Sequence, residues 1–261
     1  MEQPEAWSTK TQVTGEITLQ RTDLWTATLK FGRKNSSETC TATVVGPRVI
    51  LTAAHCIADK AKGYVTVGSA KIGLTCHHHE EYTRCEDTTP GACPAGKTTS
   101  ADYALCLADS DVPVTAYETI DNGSAGLAPS RPALITGYGC TTSSNKTYGK
   151  LYQGPTKIKA MPSNKDGWDK YYVTTQDRSA VCSGDSGGAT YLYSGNADVG
   201  RTLACVNSRS WNDKDEPSWL SCTYHPVFQT WAKKWKTAHS TADFQALICG
   251  MDPAAPKCHA Q

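Results

Sequence analysis

Twelve cysteines constrain the fold of this 261-residue chain more than any other feature. They lack the paired C-x-x-C spacing of a zinc site, and their number is high for a cytosolic enzyme. An even set of scattered cysteines is typical of disulfides formed in an oxidising compartment. We therefore expect a secreted, extracellular protein; the alternative is a set of free thiols, of which one or two are buried. Residues 1–20 contain no apolar segment of the signal-peptide type, so export is predicted from the cysteines alone and a leader is expected to have been removed.

The overall composition is that of an ordinary globular protein, with 39% hydrophobic and 20% charged residues. Because 26 basic and 25 acidic residues leave a formal net charge of +1, the charge gives no reason to expect a nucleic-acid or membrane-surface partner. The apolar stretches, such as Val49-Ile50-Leu51, are too short to span a bilayer. We expect a monomer without a nucleic-acid or membrane partner.

Short β-favouring runs recur between polar turns that contain glycine, which predicts an all-β sandwich or barrel. One helix is predicted over residues 227–237, where four apolar side chains recur on one face and three lysines lie on the others. Segments 76–100 and 207–219 are predicted to be loops, and the tail 238–261 is expected to pack back on the body through a disulfide. The predicted strands are 16–19, 24–31, 41–45, 48–53, 64–67, 71–75, 133–136, 148–152, 157–161, 171–175, 189–193 and 202–206.

Ser186 is a candidate nucleophile because it lies in the string Gly184-Asp185-Ser186-Gly187-Gly188. The glycines permit backbone conformations that a residue with a Cβ resists. They would let the N–H groups of Gly184 and Ser186 point at a developing oxyanion. A bare G-x-S-x-G string also fits an ordinary turn or an α/β-hydrolase, whereas the full G-D-S-G-G string is far more specific.

His55 and Asp102 are the candidate base and carboxylate. A β-rich run ends in Thr52-Ala53-Ala54-His55-Cys56, which would place the imidazole at the end of a strand. Such a histidine could take the serine proton and return it to a leaving amine, while a buried carboxylate fixes its tautomer. Asp102 precedes a Tyr-Ala-Leu run that is expected to place a strand, and with it the carboxylate, behind the histidine; the exposed alternatives nearby are Asp109 and Asp111.

These strings resemble the trypsin/chymotrypsin family of serine proteases, over residues 13–237. The T-A-A-H-C string, the D-x-A-L segment, G-D-S-G-G and the aromatic turn Gly137-Tyr138-Gly139 match in type, and the order histidine, aspartate, serine matches as well. α/β-Hydrolases run serine, aspartate, histidine, and the scarcity of helices also opposes an esterase of that class.

The resemblance implies two six-stranded antiparallel β-barrels with the active site between them, and a C-terminal helix. It places His55 and Asp102 in an N-terminal barrel of residues 13–125. Ser186 falls in a C-terminal barrel with the terminal helix, residues 126–237, followed by a tail of residues 238–261. The implied activity is that of a serine endopeptidase that forms an acyl-enzyme, needs no cofactor, and meets protein or peptide substrates and protein inhibitors.

Two disulfides follow from the same resemblance. Cys40 and Cys56 match the family bridge that fastens the histidine loop. Cys182 is expected to bond to Cys222 across the specificity pocket, with Cys205 as the competing partner. The remaining pairs stay open.

The chain departs from the family at its N-terminal string, V-T-G-E at residues 13–16 in place of I/V-x-G-G. In the family, the new α-ammonium pairs with the aspartate before the nucleophile, here Asp185. Cleavage of a zymogen after Gln12 would make Val13 that terminus; the alternative is that Val13 merely begins the first strand.

The substrate pocket departs as well. Ala180 falls where trypsin has the aspartate of the pocket floor, with Val181 next to it, so cleavage after Lys or Arg is not expected. Ser208 and Arg209 match the pocket wall poorly. Arg209 would favour acidic substrate residues if it reached the pocket mouth, and otherwise it is an exposed arginine. We predict a medium or small uncharged residue before the scissile bond.

Two further hypotheses concern other kinds of site. The segment His77-His78-His79 resembles a metal cluster, but three adjacent histidines on a strand cannot all face one ion, and the following glutamates suggest a solvated loop. We assign no metal. The main rival function is a catalytically impaired binding protein on the same fold.

Overall fold

The computed structural model describes residues 18–19, 22–33, 36, 39–85, 93–123, 125–140, 149–210 and 215–259. They form thirteen strands, one short 3-10 turn and one α-helix. The strands are β1 (Thr18–Leu19), β2 (Thr28–Arg33), β3 (Thr39–Gly46), β4 (Val49–Thr52), β5 (Lys62–Val67), β6 (Ala70–His78), β7 (Ala104–Ala108), β8 (Pro132–Gly137), β9 (Tyr152–Ala160), β10 (Tyr172–Thr175), β11 (Ala189–Tyr193), β12 (Arg201–Arg209) and β13 (Ser218–Cys222). The 3-10 turn is Ala54–Cys56 and the helix α1 is Pro226–His239.

Six strands close into the first barrel, in the order β2-β3-β4-β7-β6-β5. All of its neighbouring strands are antiparallel. β4 is buried along its whole length, with Val49 and Ile50 fully inaccessible. The sequence of such a strand is almost continuously apolar, because both faces of the strand pack against protein.

The second barrel closes in the order β8-β9-β10-β13-β12-β11, since β11 and β9 both pair with β8. β1 adds to the outside of this ring by pairing with β9. Ile135, Val173 and Leu220 fill its core. The prediction of two six-stranded antiparallel barrels with a C-terminal helix is confirmed.

Several predicted boundaries shift, and one strand was missed. The runs at 148–152 and 157–161 meet in β9, which begins at Tyr152. The strand expected at the Tyr-Ala-Leu run after Asp102 is β7, which extends to Ala108. β13 was not among the predicted strands, and the predicted loop 207–219 begins within β12 and ends within β13. The lengths of these strands depend on pairing with neighbouring strands, which the local sequence pattern does not predict.

The interpretation of residues 77–79 as a solvated loop is wrong. His77 and His78 belong to β6, because they pair with Leu105 and Ala104 of β7. His79 is only 3% exposed, since α1 covers it, and its Nε2 lies 3.2 Å from the Val227 carbonyl oxygen.

Helix α1 packs its apolar face against the end of the first barrel. Phe228, Trp231 and Trp235 are buried on that face. The ring centroids of Phe228 and Tyr103 are 5.0 Å apart. No helix in the described residues is long and apolar enough to cross a membrane.

The described cysteines form six disulfides, and none is free. They are Cys40–Cys56, Cys76–Cys106, Cys85–Cys93, Cys140–Cys182, Cys205–Cys222 and Cys249–Cys258.

The expected Cys182–Cys222 bond is wrong, and Cys205 is not the partner of Cys182 either. Cys205 faces Cys222 directly in the β12–β13 register, with Cα atoms 3.8 Å apart. Cys140 meets Cys182 because the Cys140 amide donates to the carbonyl of Ser183, at 2.8 Å.

Residues 240–259, called here the strap, pack on the first barrel and on the connection between the barrels. The Cys249 amide donates to the Val45 carbonyl at 2.8 Å, and the Ile120 amide donates to the Cys249 carbonyl at 3.0 Å. Ile248 is fully buried. The expected disulfide to the body is wrong, because Cys249 and Cys258 bond to each other within the strap.

Candidate functional site

Three separate segments bring the predicted catalytic residues to the boundary between the barrels. His55 lies on the 3-10 turn that follows β4, and Asp102 lies two residues before β7. Since β4 pairs with β7, Thr52 lies opposite Ala104, and the register places these two segments side by side. Ser186 lies in the loop between β10 and β11 of the second barrel.

The imidazole of His55 is held by a buried carboxylate. Asp102 is 1% exposed; its Oδ2 lies 2.7 Å from His55 Nδ1, and its Oδ1 accepts the His55 backbone N–H at 2.9 Å. Ser208 Oγ donates a third hydrogen bond to Asp102 Oδ2 at 2.5 Å. Tyr172 Oη lies 2.7 Å from Ser208 Oγ and continues the chain. A carboxylate that accepts at both oxygens fixes the ring with Nε2 as its free nitrogen.

Opposing effects set the pKa values of this pair. Burial alone lowers the pKa of His55, but the charge of Asp102 and its hydrogen bond outweigh burial and raise that pKa above its ordinary value of 6.5. Burial raises the pKa of Asp102, while His55 and the hydrogen bonds from His55 and Ser208 bring that pKa below its ordinary value. The carboxylate therefore stays ionised beside the imidazole.

The loop of Ser186 is attached to the first barrel through Thr41. The Thr41 amide donates to the Ser186 carbonyl, and the Thr41 hydroxyl donates to the Gly184 carbonyl, both at 2.8 Å. Gly187 has a φ of 79°, and a Cβ there would lie 2.1 Å from Thr52 Oγ1. A glycine is required because the loop approaches the first barrel too closely for any side chain.

Two backbone amides of this loop remain available as donors. Within the described residues, neither the amide of Gly184 nor that of Ser186 donates to a protein group, whereas the amides of Asp185, Gly187 and Gly188 all do. Gly184 has a φ of 97°, which favours glycine. The available pair fits the predicted oxyanion hole.

His55 and Ser186 line the same open cleft, of about 800 Å³. No hydrogen bond joins their side chains in the described part of the chain; catalytic hydrogen bonds often tighten only when substrate binds. The cleft residues are His55, Tyr82, Arg84, Cys85, Thr99, Asp102, Tyr172, Val181, Cys182, Ser183, Ser186, Ser208, Arg209 and Ser210.

The structure separates the four residues proposed for the substrate pocket. Val181 and Arg209 line the cleft, while Ala180 is buried without lining it. Ser208 lines the cleft, but its hydroxyl is bonded to Asp102. The hydrogen bond from Ser208 to Asp102 and the contact of Tyr172 with Ser208 were not predicted. Both contacts depend on the register of β12, which a local sequence pattern does not determine.

Asp185 is a buried carboxylate held by backbone amides. Its Oδ1 accepts from the Gly139 amide at 2.8 Å, and its Oδ2 accepts from the Cys182 amide at 2.9 Å. Burial raises the pKa of Asp185 to about 7, against the lowering effect of these hydrogen bonds. Val13, its hypothesised partner, lies outside the described residues.

One group of possible metal ligands includes His55. Ligand atoms of Cys40, His55 and Cys56 lie within 4.8 Å of one another. The two sulfurs are bonded to each other, so neither is a thiolate that could ligate a metal ion.

Comparison with known proteins agrees with the geometry. The family model "Trypsin" matches residues 13–232. Chymotrypsin-C of Bos taurus is 26% identical over 223 residues, which cover 80% of this chain and 80% of that protein. The solved structure of the secreted serine protease VesC from Vibrio cholerae covers 84% of this chain with a TM-score of 0.60 and 21% identity. This chain spans 48% of the length of VesC, and at that identity the similarity concerns the fold alone.

Proposed function

The chain belongs to the trypsin family of serine proteases, and from that premise we propose that it is a secreted endopeptidase whose triad is Ser186, His55 and Asp102. The observation that carries the proposal is the buried hydrogen-bonded chain from Ser208 through Asp102 to His55, which opens on the cleft that Ser186 lines. Six disulfides in the described residues support export, since such bonds persist in oxidising compartments.

The proposed chemistry passes one proton through His55. Its Nε2 accepts the Ser186 hydroxyl proton as Oγ bonds to the peptide carbonyl carbon, and the amides of Gly184 and Ser186 stabilise the oxyanion. The protonated imidazole gives that proton to the leaving amine, which leaves an ester on Ser186. Water then repeats the sequence, releases the acid and restores the serine hydroxyl.

The proposed substrates are proteins and peptides with a medium or small uncharged residue before the scissile bond. Val181 gives the cleft an apolar wall, and the buried Ala180 beside it supplies no charge to pair with Lys or Arg. A peptide library with strict cleavage after Lys or Arg would overturn this preference. We propose that the enzyme acts as a monomer, and that protein inhibitors would occupy the same cleft.

We also propose a zymogen in which cleavage after Gln12 creates the α-ammonium of Val13 as the partner of Asp185. A fully buried carboxylate with a pKa of about 7 lacks a compensating cation in the described residues, and a new ammonium would supply one. N-terminal sequencing of active enzyme tests this step. A competent protein that still begins before Val13 removes it.

A fluorophosphonate probe tests the activity directly, because it labels a serine only where a base activates that serine. We expect wild type to be labelled and to cleave an unstructured protein, and Ser186→Ala to lose both properties while its thermal unfolding stays unchanged. Ser194→Ala, at an exposed turn outside the cleft, is the matched control and should retain both. An unlabelled but folded wild type whose N-terminus is Val13 would contradict the proposal and favour an impaired binding protein.

A further inference from the structure

The cleft carries positive charge in addition to its apolar wall at Val181. Its described lining holds two arginines, Arg84 and Arg209, in addition to the catalytic pair. Asp102 is the only acid in that lining, and its carboxylate is buried and hydrogen bonded to His55 and Ser208. A substrate therefore meets two cations in this cleft and no accessible acid among its described lining residues.

Arg209 is held in place by aromatic rings. It is the last residue of β12, next to Ser208. Its guanidinium carbon lies 5.1 Å from the ring centroid of Trp168 and 5.8 Å from that of Trp219. A guanidinium that stacks on aromatic faces keeps its charge and its forked donors, and loses less conformational freedom when it binds a carboxylate.

Arg84 enters the cleft from the first-barrel side. It precedes Cys85, which is fixed by the disulfide to Cys93 and by the hydrogen bond that the Cys85 amide donates to Thr99 Oγ1 at 2.9 Å. The Arg84 side chain is exposed, and no described acidic side chain forms an ion pair with it. Its backbone is anchored, while its charge stays accessible to a ligand.

Both arginines lie close enough to the catalytic imidazole for their charges to act on it. Each of them lowers the pKa of His55, and each also lowers the pKa of Tyr82. Arg84 and Arg209 therefore line the same cleft as His55 and Tyr82, and the charges of both arginines act on these two side chains.

We propose that Arg84 and Arg209 select peptide substrates that carry an acidic side chain within a few residues of the scissile bond. The proposal rests on the proposed endopeptidase activity and adds a substrate class to it. The uncharged residue before the scissile bond faces Val181, and a neighbouring Asp or Glu pairs with the arginines. Forked donors suit a carboxylate, and a charge-assisted hydrogen bond is stronger than a neutral one.

The test compares matched peptides that differ only in Glu, Gln or Lys at each position flanking one fixed cleavage site. We expect kcat/KM to be about fivefold or more higher for Glu than for Gln at one position at least, lower still for Lys, and the difference to shrink in high salt. Arg84→Gln and Arg209→Gln should each reduce the Glu-to-Gln ratio. Lys62→Gln removes an equal charge from an exposed position outside the cleft, and should leave that ratio unchanged.

Arg84→Glu is a second test in which misfolding is not expected, because Arg84 is exposed and contributes little to packing. We expect this reversal of charge to move the preference from Glu toward Lys at the same position. Equal cleavage of the Glu, Gln and Lys peptides by an enzyme that the fluorophosphonate probe labels would overturn the acidic preference alone. Absence of labelling would instead contradict the endopeptidase activity itself.

Discussion

Asp102 shows how single side chains set the chemistry of this site. It is almost completely buried, yet it accepts hydrogen bonds from the His55 amide, the His55 ring and the Ser208 hydroxyl. These bonds replace the water that burial removed, and without them a buried carboxylate would take up a proton. The charge that remains fixes the imidazole and raises its pKa.

Asp102→Asn should separate the charge of this residue from its shape. The amide removes the negative charge that raises the pKa of His55, so burial and the two arginines should move that pKa below its ordinary value. Activity is lost as pH falls through the pKa of the base, so the acid limb of the kcat/KM profile should shift to lower pH. We also expect kcat to fall by roughly 10⁴-fold, as for this substitution in a serine-protease triad. An unshifted acid limb would assign it to a group other than His55.

At the scale of elements, the site depends on a loop of one barrel fitting against a strand of the other. Thr41 of β3 holds the Ser186 loop through two hydrogen bonds, and Gly187 lets that loop touch Thr52. The contact fixes Ser186 relative to the turn that carries His55.

Gly187→Ala should break this fit. Its φ of 79° and a Cβ 2.4 Å from the Thr41 carbonyl oxygen would strain the residue and push the loop away. Gly195→Ala is the matched control: its φ is 73°, but nothing lies within 4 Å of a Cβ there. The control should lose about 1–2 kcal/mol of unfolding free energy from backbone strain alone. Gly187→Ala should lose clearly more, together with probe labelling; equal losses in urea unfolding would show that the contact is loose.

The sequence predicted the parts of this arrangement that are encoded locally. The strings around His55 and Ser186 place each residue at the end of a strand or in a glycine-rich loop, and helix α1 follows from its apolar face. Cys205–Cys222 was not predicted because it depends on the register of β12 against β13. The bond from Ser208 to Asp102 joins residues 106 positions apart in the sequence, so only the completed fold brings them together.

At the scale of the whole molecule, segments from each half of the described chain pack on the barrel formed by the other half. β1 pairs with β9 of the second barrel, whereas α1 and the strap cover parts of the first. A buried ion pair joins β12 to the connection between the barrels: Arg201 Nη2 is 2.6 Å from Glu118 Oε1, and both side chains are 1% exposed. Arg201 also donates to the Leu24 carbonyl at 3.1 Å.

Glu118→Gln should destabilise the whole molecule, because it leaves the Arg201 charge buried without its counterion. Breaking a buried pair in this way costs about 3–5 kcal/mol. The partly exposed pair of Lys157 and Asp177 offers a control, and Asp177→Asn should cost no more than about 1 kcal/mol. Urea unfolding of both variants checks the difference. A Glu118→Gln loss as small as the control's would mean that water reaches Arg201.

The segments that cover the first barrel are synthesised after the barrel itself. A ribosome completes every strand of the first barrel before it makes α1, which covers His79, and the strap, whose Cys249 amide donates to the Val45 carbonyl. A nascent first barrel therefore has part of its surface uncovered until α1 and the strap have been made. We expect the strap of another copy to compete for that surface when nascent chains are crowded.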